Sequence, residues 1–101
     1  MKVNVKVKNT TLKVVFILQY ISKSYSDIKG LKTVAFVPTG EGINIIIIHD
    51  MDDRVDALTQ LQKRFFQVEN AFSGIYFEQI VLHISQVDPL ILKNAEVILQ
   101  K

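Results

Sequence analysis

The hydrophobic pattern along this chain predicts an α+β fold: one antiparallel sheet of four to five strands with two helices. Three observations carry that expectation. Two stretches space their apolar residues as a helix does, and five others show the alternating or unbroken apolar pattern of strands. Glycine, proline, asparagine or aspartate stands at most of the junctions between them.

The elements follow in order. Met1, Val3, Val5 and Val7 alternate with Lys2, Asn4, Lys6 and Lys8, which is the two-residue period of a strand with one wet face. Its lysines suit an edge position, where charge discourages pairing with other chains. Asn9, Thr10 and Thr11 are cap residues, so a helix is expected to begin there, with Leu12, Val15, Phe16, Tyr20 and Ile21 as its apolar residues and Gly30 closing the segment. The β-branched Val14, Val15 and Ile17 leave a β-hairpin open as the alternative.

Thr33–Val37 and Gly42–Ile48 read as two strands joined by the hairpin turn Pro38-Thr39-Gly40-Glu41. In the second, Asn44 alone interrupts a run of isoleucines, so the strand has no wet face and is expected to be central and covered on both sides. From Asp52 to about Ala71 the spacing turns helical, with Val55, Leu58, Leu61, Phe65, Val68 and Phe72 on the expected core face. Ser73-Gly74 ends that helix. Ile75–Ser85 follows as a strand with Ile80, Leu82 and Ile84 facing one way and Phe77, Val81 and His83 the other. Val87-Asp88-Pro89 opens a short turn or helix to about Asn94, and Ala95–Gln100 is the last strand.

This is the ferredoxin-like (split βαβ) order β-α-β-β-α-β with a C-terminal strand appended. It raises a difficulty. Two helices on one face leave the other side of the isoleucine strand bare, and a homodimer packed sheet to sheet would cover it.

With 101 residues, half of them hydrophobic and a net charge of +2, the chain is expected to form one domain, residues 1–101, rather than a disordered segment. The absence of cysteine excludes disulfides, thiolate metal sites and a cysteine nucleophile. The longest apolar stretch, Leu12–Ile21, is about half the length of a membrane span. No signal-peptide pattern is present, so a cytoplasmic protein is expected.

The net charge hides a dipolar chain. Residues 1–32 hold seven lysines against the single acid Asp27, whereas residues 33–101 hold five basic and nine acidic residues. Lys2, Lys6, Lys8 and Lys13 are therefore candidates for contact with nucleic acid or an acidic protein, although edge protection or attraction to a second copy would use the same charges. Arginine, the better reader of phosphates and bases, occurs twice, as Arg54 and Arg64.

Other candidate chemistry is thin. His49, Asp50, Asp52 and Asp53 offer one imidazole and three carboxylates to a divalent cation where a strand meets a helix. An aspartate capping the helix is the plainer account. The calcium-loop pattern is not met, because its glycine and distal glutamate are missing. His83 lies on a strand, and either histidine is chemically able to serve as a general base; as neighbours they would form a metal pair. No serine sits in a nucleophile elbow. Gly40-Glu41-Gly42 lacks the rest of a dinucleotide or P-loop motif and reads as a hairpin turn. Phe36, Tyr76 and Phe77 would be the stacking aromatics of an RNA-binding sheet, but the central-strand motif of that class is absent.

The second half resembles a group of short bacterial proteins of unknown function through Ile45–Asp53, Val55–Val68, Phe77–Ser85, Pro89 and Ala95–Leu99. The resemblance implies the element order and carries no activity. The acidic turn is also similar to that of nucleotidyltransferases, whose Gly-Ser strand motif and Asp-x-Asp pair on the following strand are missing. That likeness would imply a catalytically inactive relative. The expectation is thus a non-enzymatic protein-interaction module without a cofactor, self-associating through a sheet face or edge. The alternatives are nucleic-acid binding by the lysine-rich residues and a metal-dependent enzyme using Asp50, Asp52 or Asp53.

Overall fold

A computed structural model describes the backbone of residues 8–101 and the side chains of residues 14–101. The strand expected at the N-terminus falls outside the described residues except for Lys8, which opens helix α1 (Lys8–Tyr25). The remaining elements are β1 (Leu31–Pro38), β2 (Gly42–His49), α2 (Arg54–Ala71), β3 (Tyr76–His83), two 3₁₀ turns (Ile84–Gln86 and Pro89–Leu92) and β4 (Glu96–Gln100). The fold is α+β, as the pattern predicts, and the described elements keep the expected order.

The sheet runs β3-β2-β1-β4 and is mixed rather than antiparallel. β1 pairs antiparallel with β2 and with β4, but β2 and β3 pair in parallel from Gly42↔Tyr76 to His49↔His83. The tight turn after Pro38 permits only an antiparallel partner. Helix α2 carries the chain back to the starting end of β2, so the next strand runs alongside it in the same direction. No strand stands between that parallel pair.

Local chemistry sets the boundaries. In the hairpin, Thr39 N–H donates to the Gly42 carbonyl at 2.8 Å, and Thr39 Oγ1 accepts from Gly42 N–H at 3.0 Å. Gly42 also lets β3 start beside β2, because a Cβ there would stand 1.9 Å from the Tyr76 carbonyl oxygen. Asp53 caps α2 by accepting from Asp56 N–H at 3.0 Å. At the other end Phe72 N–H donates to the Val68 carbonyl, and Gly74 takes the positive φ that turns the chain into β3.

The main core lies between the helices and one face of the sheet. Ile17, Ile21 and Tyr25 of α1 and Leu61, Phe65 and Val68 of α2 pack on Val34, Phe36, Ile43, Ile45, Ile47 and Phe77. The helix faces differ from expectation. Among the described side chains of α1 the buried ones are Val14, Ile17, Ile21 and Tyr25, whereas Val15, Phe16 and Tyr20, expected inside, are exposed, and the side chain of Leu12 lies outside the described residues. Residues Leu12–Leu18 hold six apolar side chains in seven positions, so their periodicity marks no preferred face. On α2, Val55 and Leu58 are likewise outside.

The opposite face of the sheet is covered from within the chain, which removes the need for a sheet-to-sheet dimer. The connection from β3 at one edge to β4 at the other crosses this face, and Val87, Ile91, Leu92 and Ala95 pack on Ala35, Ile46 and Ile48. The isoleucine strand is therefore buried on both sides, by two helices and by one irregular crossover.

Candidate functional site

The parallel strands β2 and β3 end in the same register at His49 and His83, beside the N-terminus of α2. Their rings meet edge to face with centroids 5.3 Å apart. His49 is buried and His83 half-buried. Each ring turns Nδ1 back onto its own strand end, where His49 Nδ1 accepts from Met51 N–H at 3.1 Å and His83 Nδ1 accepts from Ser85 N–H at 3.1 Å. Ser85 Oγ lies 2.8 Å from the same His83 nitrogen, and the Gln86 side-chain carbonyl accepts from His83 N–H at 2.9 Å. Together these bonds close β3 into the 3₁₀ turn.

With Nδ1 accepting, each neutral ring carries its proton on Nε2. Neither imidazole then presents a free lone pair, as a general base or metal ligand must. Burial lowers the His49 pKa below the ordinary imidazole value, and the neighbouring His83 and Arg54 add to that effect while Asp50 opposes it. Burial thus favours the neutral form of His49, and both rings bind backbone through Nδ1.

The acidic turn disperses its carboxylates. Asp50 pairs with Lys32 at 3.2 Å, and its N–H donates to the Gly30 carbonyl. Asp53 is spent on the helix cap, and Asp52 is exposed. Among the described residues no three histidine or carboxylate groups converge as metal ligands would. Of the basic candidates, Lys2 and Lys6 lie outside the described residues, and for Lys8 and Lys13 only the helical backbone of α1 is described. The aromatic candidates separate: Phe36 and Phe77 are core residues, and Tyr76 is exposed with its hydroxyl donating to Glu78 at 2.9 Å.

The surface that the sequence reading missed is the outer face of α2. Val55, Leu58 and Phe66 are 76%, 53% and 53% exposed and fall on one side of the helix, with Thr59 and Gln62 between them. Leu58, Thr59, Gln62, Lys63 and Phe66 line a shallow hollow there. The signal was present in the spacing. Val55 and Phe66 are three helical turns apart, so a second apolar stripe runs alongside the one formed by Leu61, Phe65 and Val68, about 100° further round the helix. Arg64 anchors the helix from the side, donating to the Ser24 carbonyl at 3.3 Å and pairing with Asp27 at 3.2 Å.

No family model and no curated protein matches this chain. The fold is similar to a chain in the solved structure of tri-AMPylated Shewanella oneidensis HEPN toxin in complex with MNT antitoxin, with a TM-score of 0.57. The match covers 86% of this chain and 72% of that one at 10% identity. At this identity the likeness concerns the fold. Among the described residues no helix is long and apolar enough to cross a membrane.

Proposed function

We propose that this chain is a non-enzymatic protein-interaction module that docks through the outer face of α2. The observation that carries the reading is the exposed stripe of Val55, Leu58 and Phe66. Single exposed apolar residues are ordinary, but three on one helix face beside a hollow mark a surface that gains by being covered. Two further observations support it. The rings of His49 and His83 bind backbone, Asp50 holds a lysine, and Asp53 holds the helix cap. The similar fold also comes from a protein–protein complex, that of a toxin with its antitoxin.

Photo-crosslinking in the native cell tests this reading. A photoreactive residue in place of Leu58 or Phe66 is expected to capture a protein, while the same residue in place of the exposed Lys93 captures none. Absence of any protein adduct at both stripe positions would overturn it.

A further inference from the structure

We infer that the partner on this surface is a second copy of this chain, with the two α2 helices packed antiparallel across a two-fold axis beside Thr59 and Gln62. The inference rests on the protein-interaction reading above and names its partner. It comes from the arrangement of charge around the apolar stripe.

A two-fold interface must be self-complementary, each residue meeting the counterpart that meets it in return. Setting Val55 against the second copy's Phe66 meets that condition at both ends of the stripe, with Thr59 and Gln62 at the centre. In this arrangement each flank of the helix faces the same flank of its mate. Asp56 and Lys63 are seven residues apart and lie within about 20° of each other around the helix, so they share one flank. The pairing brings Asp56 within one turn of the second copy's Lys63, twice per interface. On the other flank the exposed Arg54 is set near the second copy's half-buried Glu69.

Both flanks are thus complementary in the antiparallel arrangement. A parallel pairing would instead set the flank of Asp56 and Lys63 against that of Arg54 and Glu69, which puts Asp56 near Arg54 but leaves Lys63 six residues along the helix from Glu69. Lys63 makes no ion pair among the described residues. Asp56 holds only the Gln60 side-chain amide and the cap contact at its N–H, so its carboxylate retains room for a cation. The stripe would supply the apolar contact, and the charges would set direction and register.

Sedimentation of the full chain over a dilution series reaching high micromolar concentration reads the outcome. A dimer is expected, and Phe66→Ala should weaken it about tenfold or more. Asp56→Lys alone and Lys63→Glu alone should each be monomeric, because each places like charges in contact twice. An equal mixture of the two should form a heterodimer, since every pair is then opposite in sign. The chain has no cysteine. Gln62→Cys should therefore oxidise to a cross-linked dimer across the axis, and Ser73→Cys should not.

A wild-type monomer at every concentration, or a dimer indifferent to the charge reversals, overturns the second-copy inference. Capture of a different protein at Phe66 by a monomeric chain would also overturn it, while leaving the interaction module standing. A monomer that captures nothing at either stripe position removes both.

Discussion

The two faces of the sheet solve one problem by different means. On one, two helices of 18 residues each bring Ile17, Ile21, Tyr25, Leu61, Phe65 and Val68 onto the strands. On the other, a crossover containing two short 3₁₀ turns brings Val87, Ile91, Leu92 and Ala95 onto Ala35, Ile46 and Ile48. Ile46 and Ile47 are neighbours in sequence and almost equally buried, yet they point into these two different environments. The comparison teaches that burial and rigidity of cover are separate quantities. A helix holds its own backbone hydrogen bonds and resists collapse, whereas an irregular segment can settle into a void.

The largest test of that difference is truncation on each side. Ile47→Ala should cost about 4 kcal/mol, near the upper part of the range for such changes, because the helices cannot close the cavity. Ile46→Ala should cost about 2.5 kcal/mol, since the crossover can sink toward the strand. Urea denaturation of the two variants measures the gap, and equal losses would break the distinction.

A change that strikes both faces at once comes next. Gly42→Ala places a Cβ against the Tyr76 carbonyl and forces β3 away from β2. A loss of about 2 kcal/mol is expected, as for other overpacked sites. Hydrogen exchange should quicken along the β2–β3 ladder and stay slow along β1–β4.

The caps provide a finer comparison. Asp53 caps α2, and Asp88 caps the second 3₁₀ turn by accepting from Leu90 N–H at 2.9 Å. Asp53→Ala should cost about 1 kcal/mol and Asp88→Ala about 0.5 kcal/mol, because the shorter element has fewer bonds to lose. Thermal melts of the two variants would sharpen the contrast, and a larger loss at Asp88 would reverse it.

The gentlest effect concerns acid. The His49 pKa is lowered in the folded chain, chiefly by burial, so the native state holds the ring neutral. Its contribution to stability is full above about pH 6.5, where the unfolded imidazole is also neutral. That contribution is lost as pH falls through the lower folded value. A second proton would point Nδ1–H at Met51 N–H and place a cation beside His83. His49→Gln should flatten this slope between neutral and mildly acidic pH. An unchanged slope in urea titrations would assign it elsewhere.

Much of the fold was legible along the chain. The run Ile45–Ile48 announced a central strand buried on both faces, and Gly40 with Glu41 marked the hairpin. Ile80 and Leu82 were separated correctly from Phe77 and Val81, because strict alternation leaves two choices and the polar residues make one of them. The helices were legible as elements but not as faces. Apolar residues occur almost all round α1 and on two sides of α2, so neither pattern identifies the side that turns inward. The histidine pair was visible only as a conditional statement, since it required β2 and β3 to be neighbours in register. The acidic turn was legible as a cap at Asp53, while the Asp50–Lys32 ion pair joins residues from two strand ends.

The sequence by itself determined the α+β class, the order of the described elements and the hydrophobicity of the central strand, because these depend on spacing within one segment. Tertiary structure alone decided which side of each helix is buried, that β2 and β3 run parallel, and that the far face is covered by residues 87–95. Those outcomes depend on which distant segments meet, and no local periodicity encodes the path of a crossover. The exposed stripe of Val55, Leu58 and Phe66 is the residue of that decision: α2 had two apolar sides, and the sheet could bury only one.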